Sequence, residues 1–231
     1  MVTLRVLGGL LLAVVVVLGV YLFVLRPRSL RWGATDAEVT RSLPGDELVP
    51  NVKVGYTQAI TISAPPEEVW PWVIQMGYGR AGWYTYDWFY KLTGSGNFHD
   101  GNRSANRIIP ELQDLKVGDP IKIFETAPYD VVILEPNRVL ALLARVDWDT
   151  EETFELSETM PANFMNNSWV YVLEPADANS SRLLVRWRGD YSFKLGNALA
   201  LGIPTEAGAL IMQPKMFKGI KARAEGAAAG R

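Results

Sequence analysis

The run Ala59-Ile-Thr-Ile-Ser-Ala-Pro-Pro-Glu-Glu-Val-Trp-Pro-Trp-Val-Ile-Gln-Met76 changes periodicity in its middle, and that change sets the fold. Tyr56 to Ile62 alternates and is rich in β-branched residues, which predicts a strand. After Ala64-Pro65 the pattern becomes helical. Pro66 suits a first turn, Glu67 and Glu68 complement the positive end of the helix dipole, and Val69, Trp72, Val73 and Met76 fall on one face. Pro71 removes a backbone donor within this helix, so a short, distorted or kinked element is expected.

Downstream lie a glycine-rich turn, Gly77-Tyr-Gly-Arg-Ala-Gly82, and an aromatic block, Trp83-Tyr-Thr-Tyr-Asp-Trp-Phe-Tyr90. Thr93 to Arg103 reads as a polar loop. From Ile121 onward the pattern predicts strands at Ile121–Glu125, Val131–Leu134, Val139–Val146, Thr153–Leu156, Trp169–Leu173 and Leu183–Arg188, divided by turn signals such as Glu135-Pro-Asn137 and Glu174-Pro175. Thr205 to Glu225 returns to helical spacing, with Met212, Met216 and Ile220 at i, i+4 and i+8 and Phe217 beside them. Pro214 predicts a kink near Leu210 or a later helix start, because proline in a helix interior costs about 3 kcal/mol.

Upstream, Val6 to Leu25 is an unbroken apolar run long enough, at 1.5 Å per residue, to span roughly 30 Å of hydrocarbon. It predicts a single membrane-spanning helix. A cleavable secretory signal is the competing reading, but Leu25-Arg-Pro-Arg-Ser-Leu30 lacks a small-x-small cleavage site. Arg26, Arg28 and Arg31 outweigh Arg5 and the amino terminus, which places the larger C-terminal part in the cytoplasm. The division expected is an anchor at 1–28, a tether at 29–54, one folded domain at 55–226 and a frayed tail at 227–231.

Composition narrows the chemistry. The chain has 231 residues, a net charge of −2, no cysteine and a single histidine, His99. Disulfides, thiolate sites, histidine metal clusters and histidine-based triads are therefore out of reach. No basic stripe points to nucleic acid, while the juxtamembrane arginines suit anionic headgroups. The acidic run Asp147-Trp-Asp-Thr-Glu-Glu152, with Glu155 and Glu158, has no recognised cation-loop spacing and reads as a solvated hairpin; no metal or other cofactor is expected.

The stretch Ala59 to Trp88, followed by Arg107-Ile-Ile-Pro-Glu-Leu-Gln-Asp-Leu-Lys-Val-Gly-Asp119, resembles the SRPBCC superfamily, which includes START lipid-transfer domains, birch-pollen-allergen-like proteins and polyketide cyclases/dehydrases. More narrowly, it looks like bacterial members that carry an N-terminal membrane segment. The resemblance runs from about Arg31 to Glu225. It implies an α+β helix-grip fold, in which a curved antiparallel sheet wraps a long C-terminal helix and leaves an apolar cavity. Fold alone assigns no reaction.

On that expectation Trp83, Tyr84, Tyr86, Trp88, Ile108, Trp169, Met212, Met216 and Phe217 are the candidate ligand-binding residues, since aromatic rings and methionine line permissive pockets. Ordinary core is the competing reading for each. Asp87, Glu111 and Tyr86 are the candidate acids or bases. For Asp87 an ion pair with Arg80 or Arg107 is the simpler expectation. Arg107, Glu111 and Gln113 are expected to pin a loop, and Arg186 and Arg188 to be solvated opposite Val185 and Trp187. Three functions compete: a membrane-tethered binder of a hydrophobic small molecule or lipid, a cyclase/dehydrase-type enzyme in the same cavity, and a protein-interaction module.

Overall fold

A computed structural model of the chain describes residues 9, 12, 13, 15–17, 19–125, 128–154, 159–192, 196, 202 and 205–229. Its centre is a six-stranded, wholly antiparallel curved sheet in the order β1-β6-β5-β4-β3-β2. The strands are β1 (Val54–Ile62), β2 (Pro120–Lys122), β3 (Pro128–Glu135), β4 (Val139–Asp147), β5 (Phe164–Asp177) and β6 (Ser180–Tyr191). Register shifts at Val131/Ile133 and Pro175/Asp177 insert extra residues, and such bulges bend and twist a strand. The first and last strands expected, at Tyr56–Ile62 and Leu183–Arg188, form with longer bounds. The strand expected at Thr153–Leu156 is reduced to one bridge between Val146 and Thr153, and residues 155–158, with Glu155 and Glu158, lie outside the described residues.

The helices are α1 (Arg26–Leu30), α2 (Asp36–Thr40), α3 (Pro66–Ile74), α4 (Asp87–Leu92) and α5 (Gln213–Ala229). Helix α3 passes through Pro71 without ending there and buries Val69, Trp70, Trp72, Val73 and Ile74. Pro214 lies just after a π-turn, inside a helical run that begins among the described residues at 205. The turn before it, Gly208–Met212, is wound as a π-helix, with the Gln213 N–H bonded to the Gly208 carbonyl. Residues 205–207 are already helical, so of the two expectations the irregularity near Leu210 forms, as a wider turn within one helical run, and the later start does not. Helix α5 continues to Ala229, so residues 227–229 of the expected frayed tail are helical.

Strand parity separates two apolar layers. Tyr56, Ile62, Leu140, Leu142, Tyr171, Leu173, Leu183, Val185 and Trp187 face the helices, together with Met216, Phe217, Ile220 and Ala224 of α5. This is a helix-grip-like α+β arrangement. The alternate residues Ala59, Val139, Ala141, Leu143, Val170, Val172 and Leu184 are buried on the other face, under Leu43, Leu48 and Val49. The presumed tether is therefore a structured cover on the back of the sheet.

Arg186 fastens that cover. Only 3% exposed, it donates to Thr57 Oγ1 (3.0 Å), to the carbonyls of Glu38 (2.9 Å), Val39 (3.0 Å) and Arg41 (3.0 Å), and to Asp46 Oδ2 (2.6 Å). Arg188 adds a 3.0 Å contact to the same carboxylate oxygen. The expectation that both arginines are solvated is corrected: they do point away from Val185 and Trp187, but the preceding segment fills the space there.

Among the described residues no helix is long and apolar enough to cross a membrane. The expected span begins at Val6, outside the described residues. Within its described part, Leu12, Val15, Val16, Val17, Leu22 and Phe23 are exposed, Phe23 to 81%. Tyr21 Oη donates to Glu206 Oε2 at 2.6 Å and Arg26 Nε to Glu206 Oε1 at 2.6 Å, which holds this segment against the π-turn that leads into α5.

Candidate functional site: an aromatic cavity between sheet and helix

The glycine-rich turn delivers the aromatic block to the open side of the sheet. Gly77 and Gly82 bridge one another with φ of 132° and 82°, conformations that glycine adopts without strain. Arg80 spans the turn by donating to the carbonyls of Ile74 (2.8 Å), Met76 (3.0 Å) and Leu112 (3.3 Å). Gln75, fully buried, donates to Tyr84 Oη (2.8 Å) and the Arg107 carbonyl (3.1 Å), and its Oε1 accepts from the Ile109 N–H (3.0 Å) and Gln113 Nε2 (3.1 Å). This amide ties the end of α3, the aromatic block and the 105–113 loop together; its isolated position in the sequence carried no sign of that role.

Between the block, the sheet and the π-turn lies a cavity of about 570 Å³. Trp83, Tyr86, Trp88, Phe89 and Tyr90 form one side; Tyr56, Tyr129, Trp169 and Trp187 come from the sheet, and Thr205, Ala207, Gly208, Ile211 and Met212 from the segment before α5. The volume falls within the range of ligand pockets. Trp83 stacks on Trp169 with centroids 5.3 Å apart and planes 14° apart. Trp88 is 63% exposed and Ile211 51%, so the cavity has an apolar rim open to solvent.

The polar tips on the sheet wall are mostly engaged. Trp187 Nε1 donates to Tyr129 Oη at 3.3 Å, Tyr129 Oη bonds Asn167 Oδ1, and Tyr56 Oη donates to Gln213 Oε1 at 3.3 Å. Burial pushes the Tyr129 phenol up to about 12 and raises Tyr56 and Tyr90 as well. These phenols stay neutral at physiological pH and serve as hydrogen-bonding groups, not as bases.

Of the candidate ligand-binding residues, the structure places Trp83, Tyr86, Trp88, Trp169 and Met212 on the cavity. It places Tyr84, Ile108, Met216 and Phe217 elsewhere. Tyr84 is buried at a left-handed φ of 56° with its N–H donating to Ser104 Oγ (3.0 Å) and the Arg223 guanidinium 4.4 Å from its ring centre. Ile108 packs at the margin of the main core. Met216 accepts weakly from Tyr171 Oη at 4.0 Å, and Phe217 stacks on Trp32 at 5.9 Å. Both belong to the core, while the part of the same helical run before Gln213, from Thr205 to Met212, faces the cavity.

The candidate acids do not converge there. Asp87 opens α4 and accepts from the Ser104 N–H (3.0 Å) and Ser104 Oγ (2.6 Å), so its expected pairing with Arg80 or Arg107 is replaced by Ser104. Arg107 bonds Asp100 instead, at 2.8 Å. Glu111 sits exposed on the single turn Pro110–Leu112, away from the cavity. Gln113, not Glu111, turns inward, and it does the loop pinning. Tyr86 alone among the three lines the cavity.

Neither a protein-family model nor a curated protein sequence matches the chain. Solved structures do align with it. A Mesorhizobium loti protein is 18% identical, with 73% of this chain and 96% of that one covered and a TM-score of 0.35. A hypothetical protein from Helicobacter pylori is 16% identical over 83% of this chain and 99% of its own, with a TM-score of 0.42. A Chromobacterium violaceum protein is 15% identical, covering 74% and 96%, with a TM-score of 0.39.

Proposed function

We propose that this chain is a membrane-tethered binder or carrier of a hydrophobic small molecule or lipid, of SRPBCC type and akin to the membrane-anchored bacterial members. The observation that carries the reading is the aromatic cavity of about 570 Å³, left open between the sheet and the π-turn. Burial of an apolar ligand there gains about 25 cal/mol per Å² removed from water. The exposed apolar segment that ends at Leu25 supports the tethered part of the reading, because Tyr21 and Arg26 fasten it to Glu206, between the cavity residues Thr205 and Ala207. A ligand leaving a bilayer beside this segment would meet the cavity rim first. The arginines after the span favour a cytoplasmic position for the folded domain.

The cyclase/dehydrase reading draws support only from Tyr86, since neither Asp87 nor Glu111 lines the cavity. The test is to purify the full chain from membranes in mild detergent and to analyse organic extracts by mass spectrometry. A hydrophobic molecule in near-stoichiometric amount, absent from a detergent blank, is the expected result. An extract identical to the blank, together with release of the protein from membranes by alkaline carbonate, contradicts the reading.

A further inference from the structure

A second cavity has the opposite chemistry. It lies beside the edge strand β1, holds about 510 Å³, and is lined by Arg26, Arg31, Lys53, Arg186 and Arg188, with no Asp or Glu among its fourteen described lining residues. Its five cations share four carboxylates, those of Glu206, Asp36, Asp190 and Asp46, and all four residues sit outside the lining. The groove therefore keeps a positive excess.

Four of these cations are reachable from solvent. The side chains of Arg26, Arg31, Lys53 and Arg188 are 37%, 44%, 39% and 24% exposed, whereas Arg186, at 4%, is committed to the cover. Arg26 meets Glu206 through Nε, and Arg31 meets the highly exposed Asp36 through one terminal nitrogen. A guanidinium carries five N–H donors, so both arginines have capacity for a further acceptor with these pairs intact.

Position decides what that acceptor belongs to. Arg26, Pro27 and Leu30 reach the groove from α1, which follows directly on the apolar run ending at Leu25. At about 1.5 Å per residue, Arg26 to Leu30 rise roughly 2–8 Å past Leu25, the depth of a headgroup layer beside about 30 Å of hydrocarbon. Leu30 and the half-exposed Val52 add apolar surface, which suits the glycerol end of a lipid better than a bare hydrated anion.

Building on the membrane-tethered part of the reading above, we infer that this groove binds the phosphate of an anionic phospholipid headgroup, held by Arg26, Arg31, Lys53 and Arg188. That lipid is a second ligand, distinct from the occupant of the aromatic cavity, and it fixes the folded domain against the leaflet.

In the test, the full chain in non-ionic detergent is titrated with dioleoylphosphatidylglycerol or with zwitterionic dioleoylphosphatidylcholine, and bound lipid is counted by native mass spectrometry. The first phosphatidylglycerol is expected to bind about tenfold or more tighter than phosphatidylcholine, and a lack of preference overturns the inference without recourse to any variant. Arg31→Gln should weaken that first site about fivefold, the worth of one basic side chain at an anionic surface. Arg28→Gln removes an arginine just as close to the apolar run but outside the groove, and should leave the affinity unchanged. Equal losses in the two variants would show diffuse attraction to the basic flank and overturn the site. Inorganic phosphate, added at constant ionic strength, should not displace the lipid; displacement would assign the groove to a soluble anion and overturn the lipid assignment. These outcomes leave the aromatic-cavity reading untouched, whereas release of the chain from membranes by alkaline carbonate removes the tether and this inference with it.

Discussion

Gly219 of α5 stands against the backbone of Tyr84 so closely that a Cβ at that position would lie 2.2 Å from the Tyr84 carbonyl oxygen. This contact seats the C-terminal helix against the aromatic block and lets Tyr84 keep its left-handed backbone. Arg223, one turn on, donates to the Ala105 carbonyl at 2.7 Å and fixes the same approach from the other side. Alanine in place of Gly219 would gain up to about 1 kcal/mol of helix propensity. The collision is with backbone and cannot be relieved by a rotamer change, so overpacking at about 1–3 kcal/mol wins. Gly219→Ala should lower stability in urea unfolding and reduce binding in the adjacent cavity; an unchanged or raised midpoint would show that the helix is free to shift.

Arg186 clasps the cover to the back of the sheet through five acceptors. Arg186→Met would leave three carbonyls and the Asp46 carboxylate short of donors, and removing one partner of a buried ion pair costs about 3–5 kcal/mol. Because Arg188 still reaches Asp46, the lower end of that range is expected. Arg186→Lys should recover only part of the loss, since an ammonium cannot fork to five acceptors. Urea unfolding gives the magnitude, and faster tryptic cleavage after Arg41 would show where the structure opens.

Glu38 makes the same cover sensitive to acid. Its carboxylate takes a two-pronged contact from Arg182, at 2.7 and 2.9 Å, and closes a capping box with Thr35 at the start of α2. The Arg182 hydrogen bonds, helped by Thr35, pull its pKa from 4.5 down to about 2. A depressed folded-state pKa means stability that is present above pH 4.5 and lost as pH falls toward 2. Glu38→Gln should flatten that part of the pH–stability curve and lower stability at pH 7 by a modest amount, as the pair is partly exposed. A curve with the same slope in both proteins would assign the acid response to other carboxylates.

Much of the sheet was legible because its signals are local. Alternation in Tyr56–Ile62, turn pairs such as Glu135-Pro136 and the i, i+4 spacing of Met212, Met216 and Ile220 all report the backbone directly. The cover over the back of the sheet was not, because its ties run from Arg186 to main-chain carbonyls, and a carbonyl has no residue type to read. One sign was present: Val139-Leu-Ala-Leu-Leu-Ala144 is continuously apolar, as strands buried on both faces are. Trp83 and Trp169 were legible as wall residues from their size. Tyr84, next in sequence, is held instead by Gln75 and Trp72, and Met216 and Phe217 lie in the core because the cavity meets the same helical run only before Gln213.

The central claim is that the space between Trp83, Trp169 and Met212 accepts an apolar guest. The uncharged dye N-phenyl-1-naphthylamine, titrated into the full chain in nanodiscs, should show one saturable site that quenches tryptophan emission. Met212→Trp, which replaces a flexible thioether in the cavity wall with a bulky indole, should weaken that site at least tenfold while the urea midpoint changes little. Saturable binding that is indifferent to Met212→Trp, or no binding above that of empty nanodiscs, would contradict the account.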